Sequence, residues 1–334
     1  MNEHRNAWID AARGSAALAV TFFHFNTMMQ SGADRWREFW SYGHFGVPVF
    51  FVLSGWCVTT SWLKAPDWRD FGTRRLRRIF PAYLGSAALM VALAIIMKAT
   101  TGVNDVVVLS MNWRSILAGL TLTTAPVTTV KPIMEIYWTL SYEVAFYGLL
   151  TALLLAPPRL RQGSLAVLHL ALCVGAVVAN SPYFGPFFFV GLWPVFGLGC
   201  TLVMLSVNLP YGLLMLAASA GQAVASCSTL QHIDYLAVGL LTAGGLIAAR
   251  HVKFPRLLRP LRLVGEFSYS LYLVHIPLGY YVVLRLFPLP TGNTAGYIVW
   301  QSLQVLAVCG LAWLFYLTVE RRFHRPAPRP PSGA

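Results

Sequence analysis

Charged residues are scarce in this chain. They make up 11% of 334 residues, and acids number only 12 against 25 lysines and arginines. Ordinary soluble domains carry about 25% charge, so a water-solvated globule is excluded as the simplest class. Cysteine is sparse too. All five, Cys57, Cys173, Cys200, Cys227 and Cys309, stand inside apolar stretches, with neither the pattern of a disulfide framework nor the paired spacing of a zinc site. They read as small packing residues, and no metal is expected. No charged linker or low-complexity tract divides the chain before the Pro-rich run from Arg325 to Ala334. The expectation is one domain over residues 1–324 and a disordered cytoplasmic tail over 325–334.

What is present is apolar length, since hydrophobic residues make up 57% of the chain. Crossing a hydrocarbon core of about 30 Å takes about 20 mostly apolar residues in a helix, and such stretches recur along the sequence. They fall near 8–29, 44–62, 80–98, 137–156, 164–181, 186–206, 211–229, 234–250, 263–287 and 296–319. The fold class is therefore an all-α, polytopic integral membrane protein with about ten transmembrane helices. An even number of spans puts both termini on one side. If that side is cytoplasmic, it receives eighteen of the 25 cations, in keeping with the positive-inside rule. The net charge of +13 then reports topology in a multi-pass protein of the cell inner membrane, and nucleic acid is not an expected partner. A cleaved signal peptide at the N-terminus is the alternative for the first span, but Asp10 and Arg13 fit it badly. Between the third and fourth spans, the apolar piece Ile116 to Leu122 is too short to cross and is expected to lie as an interfacial helix over the outer mouth.

Ionisable side chains inside a bilayer cost about 2.5 to 3.5 kcal/mol each on insertion scales, so those that persist need a reason. The first span holds Asp10, Arg13 and His24. Asp10 and Arg13 are three residues apart and can pair on one face. Arg13 and His24 are eleven apart, three turns plus roughly 20°, so they point the same way at about 16 Å separation. That spacing suits an extended pantetheine arm with its phosphates at the inner face and its thioester deeper in the membrane. The alternative is a topogenic anchor and an unrelated core histidine. In WTLSYEVAFY, Glu143 is expected near the depth of His24, where a carboxylate would orient the imidazole; pairing with Arg285 or Arg114 is the other reading. The basic stretch TRRLRRIFPAY reads as a loop before a span, with Pro81 in the span's first turn. Its arginines suit phosphate, but a basic cytoplasmic loop also serves topology and attracts anionic lipid.

Taken together these segments resemble acyltransferase family 3, the bacterial membrane O-acyltransferases, from Ile9 to Phe323. IDAARGSAALAVTFFH is similar to the family's first-span signature, GHFGVPVFFVLSGW to its FFVLSG element, and RRLRRIFPAY to its basic pattern at Arg75, Arg78, Pro81 and Tyr83. WTLSYE resembles a Trp-Ser-Leu-Ser-x-Glu element with Thr139 in place of a serine. GEFSYSLYLVHIP resembles the late Ser-Tyr-x-x-Tyr-Leu-x-His element, and Glu320 to Arg322 the closing acidic-basic pair. Pro48 and Ala145 stand where many relatives carry acids.

The resemblance implies an acyl-CoA donor, usually acetyl-CoA, as co-substrate with no permanently bound cofactor, and an acceptor hydroxyl on a sugar of a glycan, a lipid-linked saccharide or a glycosylated small molecule. His24 and Glu143 are the expected catalytic residues, with His24 as general base or, alternatively, as a covalent acyl carrier. Arg13, Arg75, Arg78 and Tyr83 are expected to bind the donor, and Asp10, Ser268, Tyr269, Tyr272 and His275 to support the site. The bilayer is the remaining partner, and assembly into a homo-oligomer is compatible with these features. A transporter or flippase of a lipid-linked saccharide is the competing class, since ten spans with buried charges also suit a translocation path. A non-catalytic scaffold would leave Arg13 and His24 without a role.

Overall fold

The computed structural model describes residues 3–27, 35–102, 112–178, 188–226, 233–286 and 294–323; the expected tail, 325–334, and Cys227 lie outside them. The described residues form thirteen principal helices and no strands. In chain order these are α1 Glu3–Thr27, α2 Arg35–Ser41, α3 Gly46–Trp62, α4 Trp68–Thr101, α5 Trp113–Thr121, α6 Trp138–Leu153 and α7 Arg161–Val178. They continue with α8 Trp193–Val207, α9 Leu209–Ser226, α10 Ile233–Ala248, α11 Arg259–Glu266, α12 Ser268–Leu278 and α13 Thr294–Phe315. Single π-helical segments, Gly279–Val283 and Tyr316–Glu320, prolong the last two. In their described residues, nine of the ten expected spans overlap one principal helix each, and the span 263–287 falls on two. Length and composition alone qualify four segments to cross a membrane: Arg35–Trp62, Trp68–Thr101, Pro158–Val178 and Ala295–Phe323. A fifth joins them if the bent pair α11 and α12 counts as one. In α1 the polar residues Asp10, Arg13, His24 and Asn26 dilute the apolar run, and α8 to α10 are short.

Helix α1 stands at the centre because small residues let its neighbours approach backbone to backbone, the packing device of helices that have no hydrophobic drive between them in lipid. A Cβ added to Gly265 of α11 would meet the Asp10 carbonyl at 1.9 Å, and one on Gly14 would meet that of Leu261 at 2.0 Å. On the other side, a Cβ on Gly46 of α3 would come within 2.5 Å of the Ala16 carbonyl. Farther along, the ring of Phe25 occupies the space beside Gly279, at 2.4 Å from where its Cβ would be. Asn26 then accepts from Tyr297 and Gln301 at 3.2 and 2.9 Å, near the start of α13. Glu320, near the far end of α13, bonds Ser270 at the start of α12. By this register α12 runs with α1, and α13 runs against both. Glu3 and Phe323 consequently lie at one end of the bundle, called here the terminal end.

Two boundaries differ from expectation for identifiable reasons. The basic stretch is helical rather than a loop: α4 begins at Trp68, where the Asp67 side chain caps the Asp70 amide at 2.9 Å, so Pro81 lies inside the helix and not in its first turn. The span expected at 263–287 is broken at Phe267, where α11 and α12 meet with the chain bent by 70°. Ser268 secures the bend by donating to the Gly265 carbonyl at 2.9 Å. The expected interfacial piece forms α5, whose Trp113, Ile116, Leu117 and Leu120 are exposed while Ala118 is buried.

Candidate active site

Helices α4 and α6 run antiparallel. Gly72 faces Thr151, with its would-be Cβ 3.4 Å from the methyl group, and Ser86 meets the Tyr137 hydroxyl at 2.8 Å, fourteen residues on along both helices. Against them packs α12, whose Tyr269 hydroxyl donates to the Ile79 carbonyl at 3.1 Å and whose Tyr272 hydroxyl donates to that of Ile136 at 3.0 Å. Tyr272 also meets Thr139 Oγ1 at 2.7 Å. Between these helices, α1 and α3, lies a cavity lined by Arg13, Arg78, Glu143, Ser54, Tyr269 and Tyr272, among others, with about 70 Å³ open to the centre of a water-sized sphere. A space this size admits several water molecules or a slender unbranched chain, and its polar lining accounts for ionisable groups at membrane depth.

Glu143 is held by two hydroxyls, Ser54 at 3.2 Å and Tyr147 in a short hydrogen bond. Its carboxylate and that of Glu320 lie in the field of Arg78, and Glu320 lies in that of Arg13 as well. Arg78 is the cation in whose field Glu143 lies, with no ion pair between them among the described residues, whereas the Arg114 guanidinium sits over the Trp113 ring, 5.4 Å from its centroid. Nor is Glu143 at the depth of His24. On α6 it stands one turn from Thr139 toward the terminal end, level with Tyr269, whereas His24 packs against His275, one turn beyond Tyr272 in the opposite direction. The offset is two turns, roughly 11 Å.

The ring beside His24 is instead that of His275, with centroids 5.1 Å apart. Both contacts of His275 Nδ1 are carbonyl oxygens, Leu271 at 3.1 Å and Tyr272 at 2.8 Å, so this nitrogen carries the proton. Nε2 is then a lone-pair acceptor, fully buried and without a hydrogen-bond partner. A structural histidine with one nitrogen left in this state is costly, which marks the pair as a site for chemistry.

The other expected residues separate into groups. Arg13 and Arg78 line the cavity. Arg75, three residues before Arg78, opens on a different groove, with Ile79 in the wall of both. Tyr83, expected at the donor, donates at 2.6 Å to the Gly119 carbonyl and packs edge-on against Tyr137, so it fastens α5 to α4. Ser141 fastens the same segment to α6 by donating to the Leu122 carbonyl at 3.0 Å. Asp10 lies in the fields of Arg13 and Arg262. Sequence reasoning missed Ser54, Tyr147 and Glu320 as members of the site. An acid closing a long apolar run, as in the LTVE sequence, was the visible signal for the last.

A family described as an acyltransferase domain matches residues 6–317. The chain is 27% identical to the exopolysaccharide production protein ExoZ of Rhizobium meliloti over 273 residues, covering 74% of this chain and 80% of the relative. It is 27% identical to nodulation protein 10 of Rhizobium leguminosarum bv. viciae over 315 residues, 82% of each. A shorter match, 31% over 86 residues and 26% of each chain, is to an O-acetyl transferase of Shigella phage Sf6. No solved structure matches.

Proposed function

This chain belongs to the acyltransferase family matched over residues 6–317 and is an O-acyltransferase, and from that premise we propose that it transfers an acetyl group from acetyl-CoA to a sugar hydroxyl across the cell inner membrane. One observation carries the reading: α1 presents Arg13 in the cavity and His24 against His275, three turns farther along the same helix. The separation of about 16 Å matches an extended pantetheine arm. Acceptors of envelope-polysaccharide type are supported by the names of relatives such as the exopolysaccharide production protein.

In this mechanism the terminal end is cytoplasmic and the ten helical stretches cross the bilayer. Arg13 and Arg78 hold the donor's phosphates by charge-assisted hydrogen bonds, and the arm lies along the cavity toward Tyr272. Glu143 and Glu320 keep the two guanidinium groups in place between visits of the donor. His24 takes the proton of the acceptor hydroxyl as its oxygen attacks the thioester carbonyl. The carbon–sulfur bond breaks, and the proton passes from His24 to the departing CoA thiolate. His275, its ring fixed by the contacts of Nδ1–H with two carbonyls, positions His24 by packing against it.

Transfer of radiolabelled acetyl groups by membrane vesicles tests the assignment. His24→Ala is expected to abolish product formation while the solubilised protein keeps its size-exclusion profile, and product at the wild-type rate would remove His24 from the chemistry.

A further inference from the structure

Outside the central cavity, α4 and α6 enclose a second groove of about 740 Å³. Arg69 lies at its terminal end and Arg75 six residues on, about midway along α4 to Phe80, which with Val144 closes the other end. Trp68, Leu76 and Leu155 on its walls are 43%, 53% and 68% exposed, so the groove opens outward from two helices that face lipid rather than into the bundle. From Arg69 to Phe80 is eleven residues, roughly 16 Å of helix, against about 15 Å for one leaflet of hydrocarbon.

Arg75 decides what the groove takes. It is 9% exposed, its Nη2 donates to Ser61 Oγ at 2.6 Å, and its guanidinium lies over the rings of Phe71 and Tyr147 at 5.2 and 5.7 Å. Its Nε is buried without a hydrogen-bond partner. A buried, charged donor left unsatisfied beside a groove calls for an anion. Arg75 lines this groove and Arg78 the central cavity, with Ile79 in the wall of both.

We infer that this groove binds an anionic phospholipid of the terminal-side leaflet, with its phosphate on Arg75 and Arg69 and an acyl chain along the α4–α6 seam. A free phosphate would satisfy the arginines but not the apolar length. The bound lipid also meets the Glu143 support, because the Tyr147 ring that carries Arg75 ends in the hydroxyl bonded to Glu143. The inference stands on the helices' membrane embedding and not on the acyl-transfer chemistry, so either fails without the other.

The test is native mass spectrometry of the whole protein released from nanodiscs of phosphatidylcholine containing a minor fraction of phosphatidylglycerol. Wild type is expected to retain phosphatidylglycerol selectively. Arg75→Gln removes the head contact. Gly148→Leu fills the groove, since a Cβ at Gly148 meets nothing within 4 Å and a helix accepts leucine readily. Each variant is expected to lower retention about tenfold or more. Equal retention of the two lipids by wild type, undiminished retention in a folded Gly148→Leu, or displacement of the lipid by CoA or glycerol phosphate would each overturn the assignment.

Discussion

Replacing Arg78 and Arg75 separately should have unequal consequences for donor affinity, although the two residues stand three apart in one basic run. Arg78 lines the cavity shared with Arg13, and Arg75 faces the outer groove. A hydrogen bond to a charged partner contributes about 1.5 to 3 kcal/mol, so losing one phosphate contact should weaken CoA about 10- to 150-fold. Arg78→Ala also removes a cation in whose field Glu143 and Glu320 lie, and leaving a buried charge uncompensated costs about 3 to 5 kcal/mol. The double variant Arg78→Ala with Glu143→Gln separates these effects: it should recover thermal stability without recovering CoA affinity. Arg78→Lys should rescue binding only in part, because an ammonium cannot make the bidentate contact. Arg75→Ala should change the CoA dissociation constant less than about threefold, a shift below the contribution of one such bond. Calorimetric titration of each detergent-purified variant with CoA provides the measurement. Equal losses in the Arg78 and Arg75 variants would refute the division of the basic run between two sites.

His275→Asn should keep a donor toward the Leu271 and Tyr272 carbonyls but lose the ring packed against His24, so kcat should fall by about 100-fold, the low end of the range for a positioned proton-transfer group, with the KM for acetyl-CoA little changed; a fall confined to KM would contradict the positioning role. In oriented proteoliposomes, acetyl-CoA supplied only on the face bearing the termini should acetylate an acceptor confined to the opposite face, and a strict requirement for both on one side would end the trans-membrane scheme.

Most helices were legible in the sequence because their signal is long and one-dimensional: apolar runs near the length of a span, broken by polar segments. The early start of α4 was legible in principle, since Asp67 followed by Asp70 is an N-capping pattern, but the density of arginine there suggests a loop to any argument based on topology. The bend at Phe267 was not legible. It depends on α11 crossing α1 at the Gly14 and Gly265 contact, and nothing in the sequence around Phe267 announces that partner.

The placement of the candidate residues was legible within one helix and illegible between helices. Spacing within one helix is fixed by 1.5 Å per residue, so the relation of Arg13 to His24 survives from sequence to structure. The relation of Glu143 to His24 does not, because it depends on the axial offset between two helices. That offset is set by Tyr272, which meets Thr139 rather than Glu143. A slide of two turns moves the carboxylate away from the expected imidazole and into the field of Arg78, so in the proposed mechanism Glu143 balances that cation and the residue left to orient His24 is the histidine packed against it. In the proposed mechanism the two ends of the reaction are thereby kept apart, with acids in the field of the cations that would hold phosphates and the His24–His275 pair where the hydroxyl must lose its proton. A carboxylate at the outer end would compete for that proton, and one at the inner end without Arg78 would repel the donor.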